Sequence, residues 1–172
     1  MTARPACEGA DGVCVREGPL GRGIHAGRAF RPSERILEFT GPLLTFHQVL
    51  AMGEAQAYAI QIDPDRYIDT EPLGRFTNHS CVPNAGVNED RILVALRPIR
   101  PGEEIRFDYS TTMSENHWTM TCRCGEPECR GVIRDFHLLP ASLQEQYVRS
   151  EVVQGFIVRE WEERRGRSTA AA

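Results

Sequence analysis

The chain has 172 residues and a mass of 19.3 kDa, with 41% hydrophobic and 26% charged residues, the balance of one soluble globular domain with its own core. A net charge of −4 and a pI of about 5.8 argue against direct nucleic-acid binding and suit a basic partner. No apolar run approaches the ~20 residues of a membrane span, and the N-terminus lacks the apolar stretch of a secretory leader; the expected location is cytoplasmic, or nuclear or chromatin-associated in a eukaryote or a host.

Residues 1–11 show no periodicity and read as a loose arm. Gly12 to Arg16 reads as a short strand. A glycine-rich turn follows, Gly18-Pro19-Leu20-Gly21-Arg22-Gly23; it fits a hairpin, and it also fits a close backbone approach to a ligand. Arg31–Phe39 resembles Arg100–Asp108: each has a proline-centred turn leading into a strand that begins at an Ile. Thr45 and Gln48 form a capping box for a short helix over 46–52, with Gly53 as its stop. Tyr58–Ile62 reads as a strand, Asp63-Pro64-Asp65 as a tight turn and Tyr67–Asp69 as a second strand. Ile92–Leu96 is an apolar run of buried-strand length. Short strands with frequent Gly and Pro turns predict a mainly β fold.

The C-terminal part changes character. Ser142 and Glu145 suggest another capping box, and Val152, Val153, Phe156, Ile157 and Trp161 recur at helical spacing. An amphipathic helix packed on the domain is the expectation, with a partner-binding face as the alternative, and 166–172 as a frayed tail.

Two stretches carry chemistry. Arg75-Phe76-Thr77-Asn78-His79-Ser80-Cys81-Val82-Pro83-Asn84 crowds amides, an imidazole and a thiol onto a loop; that density suggests a binding site, while Asn, Ser and Pro equally suit an ordinary turn. Cys122, Cys124 and Cys129 place three thiols within eight residues. In a reducing compartment such clustering points to a metal rather than a disulfide framework. Structural Zn²⁺ takes four ligands, so one more is required, and Cys81 and His79 are both candidates.

These stretches resemble a SET-domain protein-lysine N-methyltransferase with a post-SET zinc segment. Gly21-Arg22-Gly23-Ile24, then Arg75–Asn84, then Gly102–Tyr109, then Cys122–Gly131 resemble the family's motifs in the family's order. The resemblance covers about residues 12–133. It implies a fold of small curved β-sheets around a pseudoknot, with a C-terminal helical extension. The implied organisation is a SET domain over 12–111, a post-SET zinc segment over 112–134 and the extension over 135–172. The implied activity is methyl transfer from S-adenosylmethionine to a lysine amine of a basic protein or peptide, histone-like or otherwise.

Residue by residue, the resemblance implies that Arg22, Gly23, Tyr58, Asn78 and His79 bind the cofactor, with Val132 or Ile133 covering its adenine. Tyr109 is implied as the catalytic residue. Phe39, Phe107 and Tyr109 are implied to line the lysine channel, and Cys81, Cys122, Cys124 and Cys129 to hold Zn²⁺. Two positions depart from the family's habit. Phe39 stands where a channel tyrosine is common, and Phe107 occupies a Phe/Tyr position tied to the number of methyls added. Fewer channel hydroxyls to pin the amine favour products beyond monomethyl-lysine. All twenty basic residues are Arg, so such an enzyme has no lysine side chain of its own to modify. The competing reading is a non-catalytic SET-like or zinc-stabilised protein-binding module.

Overall fold

The computed structural model describes residues 12–88 and 90–170; the arm expected over 1–11 lies outside them, apart from which the order of elements follows the sequence closely. Strands β1 (Val13–Gly18) and β2 (Gly21–Ala26) form an antiparallel hairpin in the register Gly18↔Gly21. Gly21 has φ 90°, a left-handed value that a side chain disfavours, which is why the turn carries glycine there. Val13, Ile24 and Ala26 point from the hairpin into the core.

A second sheet has the order β3 (Arg35–Glu38), β9 (Ile92–Ala95), β8 (Ala85–Asn88), and a third the order β4 (Leu43–Leu44), β6 (Arg66–Asp69), β5 (Ala59–Asp63). The two similar proline turns use one device. Arg31 N–H donates to the Glu34 carboxylate at 2.8 Å, and Arg100 N–H to the Glu103 carboxylate at 3.1 Å. The units also meet directly, since Phe30 and Ile99 exchange both backbone hydrogen bonds at 3.0 Å. Their apolar residues join one core with Ile36, Leu93, Ile105 and Phe107.

Helix α1 (Phe46–Ala51) has the Thr45–Gln48 capping box in both directions, and the chain turns at Gly53 with φ 60°. A 3-10 turn then occupies Gly53–Tyr58. Tyr58 therefore ends a turn, and the expected strand begins one residue later, at Ala59.

Strand β7 (Asn78–His79) pairs in parallel with β10 (Arg106–Phe107), in the register Asn78↔Arg106 and His79↔Phe107. This pairing lays the segment that ends at Tyr109 along the Arg75–Asn84 loop, the arrangement of the SET pseudoknot. Asn84 reinforces it: its side chain accepts from Arg106 N–H at 2.9 Å and donates to Glu104 O at 2.8 Å. Strands β11 (Met120–Thr121) and β12 (Val132–Ile133) bracket the cysteine-rich segment.

The single C-terminal helix of the sequence reading is two helices, α2 (Ala141–Arg149) and α3 (Gly155–Ala170). Ser142 lies inside α2, whose N-cap is Pro140 with no side-chain cap bond. Glu145 instead pairs with Arg165 of α3 at 2.6 Å. The chain breaks at Glu151, with φ 55°, so Val152 and Val153 turn inward from a loop rather than from a helix face. They join Phe136, Leu139, Tyr147, Phe156 and Ile157 in a second core. Asp90 accepts from Gly155 N–H at 2.8 Å and restarts the helix. Helix continues through Gly166 to Ala170, where fraying was expected.

A buried side-chain contact is among the polar bonds that tie this second core to the first. The Tyr147 hydroxyl, on a residue 3% exposed, donates at 2.9 Å to the carboxylate of Asp108, 1% exposed. Hydrogen bonds to buried charge contribute about 1.5–3 kcal/mol. Tyr147→Phe keeps the ring and removes the donor, so it is expected to lower unfolding free energy by about that amount, read by denaturant titration. No change in midpoint would show that the bond contributes nothing.

Candidate active site and metal centre

Tyr109 opens a short 3-10 turn over Tyr109–Thr112, immediately after β10. Its hydroxyl donates to Thr77 O at 2.8 Å, and its backbone N–H donates to His79 Nδ1 at 3.2 Å. The ring packs among Phe107, His79 and Trp118, with centroids 4.9, 5.3 and 6.4 Å away. Burial pushes the Tyr109 hydroxyl above its ordinary pKa, and the nearby Glu104 charge pushes the same way. It is a neutral donor at physiological pH, not a base.

Two cavities meet at this residue. One is largely apolar and is lined by Tyr67, Thr77, Phe107, Met113 and Glu115, among others. The other is a polar groove lined by Arg22, Asn78, His79, Met120 and Arg123. Tyr58, Arg75, Tyr109 and Trp118 belong to the walls of both. Arg75 is committed there, donating to Asp69 at 2.9 Å and to Thr70 O at 2.8 Å, with its guanidinium 5.1 Å above the Tyr58 ring.

Arg22, Tyr58, Asn78 and His79 thus share the groove wall. Asn78 Nδ2 is committed to Arg22 O at 3.1 Å and Glu104 Oε1 at 2.8 Å, which leaves its carbonyl oxygen for a ligand donor. Arg22 stacks 4.1 Å over Phe76. Gly23 has a packing reason to be glycine, because a Cβ there would collide with the Glu104 and Asn78 side chains. In the apolar cavity Phe107 and Tyr109 are on the wall. Phe39 is not: it is fully buried behind Phe107, ring centroids 5.8 Å apart, so it shapes the cavity only by supporting Phe107. Val132 is exposed and Ile133 is in the small core beside the cysteines.

The ligand atoms of His79, Cys81, Cys122 and Cys124 lie within 4.8 Å of one another. Cys129, exposed, lies outside that 4.8 Å group, and its thiol acts on the Cys122 and Cys124 thiols from beside it. Cys14 is disulfide-bonded and takes no part. The set fits Zn²⁺. Cys81 and Cys122 sulfurs are 3.7 Å apart, close to the ~3.8 Å edge of a tetrahedron with Zn–S of about 2.3 Å. Backbone N–H groups also converge on the sulfurs: Arg130 on Cys81 at 3.4 Å and Gly131 on Cys129 at 3.5 Å. Such donors stabilise thiolate charge.

Burial pushes His79 down to about 4, so its ring is neutral, and its approach to Asp108 at 3.6 Å is not an ion pair. Nδ1 accepts from Tyr109 N–H, which places the ring proton on Nε2. That nitrogen is 3.3 Å from Cys81 Sγ, and a protonated ring nitrogen donates to sulfur rather than ligating a metal.

Sequence reasoning missed the groups that join site and metal centre. Arg130 reaches back to Asp108 at 2.7 Å, and Arg106 spans to Glu126 at 2.6 Å and Cys124 O at 3.1 Å. Both arginines lie inside recognised motifs, yet nothing local announces which carboxylate each will meet. Trp118, between the motifs, carried no signal at all.

Known proteins fall in line with this geometry. The SET domain profile matches residues 21–110. The histone-lysine N-methyltransferase ash1 of Drosophila melanogaster is 32% identical over 129 residues, 66% of this chain and 6% of that protein. The histone H3-lysine(4) N-trimethyltransferase ATX1 of Arabidopsis thaliana is 33% identical over 142 residues, 70% of this chain and 13% of that protein. The chain therefore spans only a small part of these relatives. A crystal structure of KRYPTONITE in complex with mCHG DNA and SAH superposes with a TM-score of 0.57 at 22% identity, over 71% of this chain and 29% of that one, and so shares the fold. With more than half its length matched, the chain belongs to the SET-domain family.

Proposed function

We propose that the chain transfers a methyl group from S-adenosylmethionine to the side-chain amine of lysine in a basic protein substrate. The observation that carries this reading is the placement of Tyr109 on the wall shared by a polar groove and an apolar cavity. The names of the relatives and the SAH in the structural neighbour support it. The negative charge of the chain supports a basic partner.

In this reading the groove takes the cofactor, and its residues have distinct duties. The Asn78 carbonyl oxygen accepts from the cofactor's amine. Both His79 ring nitrogens are engaged, so His79 offers its main chain. Arg22 and Gly23 supply the wall beneath, and Tyr58 closes one side; at 45% exposed its ring is free to cover a ligand. S-adenosylmethionine supplies a sulfonium-bound methyl, an electrophile.

The apolar cavity takes the lysine. Only a neutral amine is nucleophilic, and walls of Phe107, Tyr109, Met113 and Trp118 lower the ammonium pKa by desolvation. Holding the amine in one orientation supplies much of the acceleration. Tyr109, a neutral donor pinned on Thr77 O, orients polar groups at the junction. The thiolates of Cys81, Cys122, Cys124 and Cys129 would hold Zn²⁺, with His79 donating to Cys81. Such a site would be structural, with Cys81 of the SET core of 12–111 and the cysteines of the 112–134 segment fastened together, and the 135–172 extension bracing both.

Three outcomes are expected. Tyr109→Phe retains cofactor binding by calorimetry but loses at least about 90% of turnover, as removal of a group acting in the transition state should; unchanged turnover would refute its role. Cys81→Ser lowers both zinc content, measured by elemental analysis, and cofactor affinity; full zinc retention would return His79 to the ligand set. With Phe107 on the wall and Phe39 withdrawn behind it, long incubation with excess cofactor gives peptide products heavier than +14 Da, whereas a mass spectrum confined to monomethyl product would contradict that.

A further inference from the structure

The apolar cavity contains one carboxylate whose partner is not a cation. Glu115 accepts a hydrogen bond from the Tyr67 hydroxyl at 2.8 Å, and both residues line the cavity. None of the ion pairs among the described residues includes Glu115. The cavity's other charged residue, Arg75, is already paired with Asp69. The surroundings add more negative charge. Asp65 accepts from Phe46 N–H at 2.9 Å, and Phe46 stacks on Tyr67 with centroids 6.0 Å apart. Asp135, buried, accepts from Asn116 N–H at 2.6 Å. His117 meets the Phe46 ring in a T-shaped contact with centroids 5.7 Å apart, and its charge acts on Glu115 in the opposing direction.

A half-buried carboxylate held by a neutral hydroxyl is costly unless a cation completes it. Burial and the Asp135 charge accordingly push its pKa up. Tyr67 is itself buried and anchored by aromatic packing, so the carboxylate is presented in one orientation. These are features of a preorganised half of a charge pair.

Resting on the methyl-transfer reading, we propose that Glu115 selects the substrate by pairing with a second cationic side chain, Arg or Lys, that flanks the target lysine. The target amine itself is a poor occupant. It must lose its proton to react, and a carboxylate contact would hold the proton on. Glu115 is anchored on the Tyr67 hydroxyl, whereas the Tyr109 hydroxyl is anchored on Thr77 O. The two groups are thus held at separate points of the cavity wall, which assigns Glu115 to recognition and Tyr109 to the reacting end. The substrate class is narrowed from any basic protein to segments with paired basic residues, one methylated and one read.

The test uses the full chain and fluorescent peptides in which norleucine replaces the target lysine, so that binding is measured without turnover. Each peptide carries Arg or its neutral near-isostere citrulline at one flanking position; a charge-matched control carries the Arg at the distal end. Binding is followed by anisotropy. Wild type is expected to prefer Arg over citrulline by about tenfold or more at one flanking position and not at the distal one, as for a desolvated charge pair. Glu115→Gln removes that difference, Glu115→Asp restores part of it, and Tyr67→Phe, which keeps the charge and loses the anchor, weakens it less than Glu115→Gln does. An unchanged Arg/citrulline ratio in Glu115→Gln overturns the proposal, and so does a wild type without positional preference, whatever the variants do. The lysine forms of the same peptides separate the two readings. Methyl transfer without flank preference removes the Glu115 role alone. A Glu115-dependent preference without methyl transfer removes the enzymatic reading and leaves Glu115 as a cation-binding group.

Discussion

The carboxylate of Asp108 is the constraint on which the rest of the site depends. It is buried, and a buried carboxylate costs several kcal/mol unless it is paired and hydrogen-bonded. Here it receives the Arg130 guanidinium, the Tyr147 hydroxyl and the Ser110 N–H. Those donors come from the cysteine-rich segment, the C-terminal helices and the 3-10 turn of Tyr109. Removing the cationic partner of such a group typically costs about 3–5 kcal/mol, because the carboxylate charge stays buried. Three regions that look separable in sequence are thus held to one atom pair, next to the residue on which the proposed chemistry turns.

His79 is the complementary joint. One ring nitrogen receives the Tyr109 backbone and the other faces Cys81. Its neutrality follows from burial, and its tautomer follows from the Tyr109 bond. The imidazole therefore transmits position between the thiol cluster and the tyrosine without carrying charge. Arg106 works in parallel, with one nitrogen on the Glu126 carboxylate and another on Cys124 O.

Much of this fold was legible where chemistry is local. The Thr45–Gln48 cap, the Gly21 turn and the clustered cysteines need only a few neighbouring residues to declare themselves. The Arg75–Asn84 stretch stood out by its density of polar groups, but its residues alone suit a turn as well as a site. What stayed hidden depends on distant partners. Asp108 meets Tyr147 across 39 residues, and no periodicity encodes that. The C-terminal helix split because Glu151 adopts a left-handed conformation, while the spacing of Val152 to Trp161 suits one helix or a loop followed by one. Phe39 is apolar whether it lines a cavity or stands behind its lining, so residue type alone could not place it. Glu115 was silent for the same reason: an isolated Glu between motifs reads as surface until Tyr67 is found on it.

The parallel pairing of β7 with β10 carries a kinetic consequence. Each strand has two residues, too few to persist alone, and their partners are 28 positions apart in the register Asn78↔Arg106. Cys81 and Cys122 then close a loop of 41 residues. Loop closure of this kind must precede any reward from the contacts it makes, which slows chains rich in non-local pairs. The local hairpin of β1 and β2 can form early, whereas β7, β10 and the thiol cluster can gain their stability only when brought together. A polypeptide built this way has its cysteines scattered until late in folding, so assembly of the thiol cluster and completion of the fold become a single event.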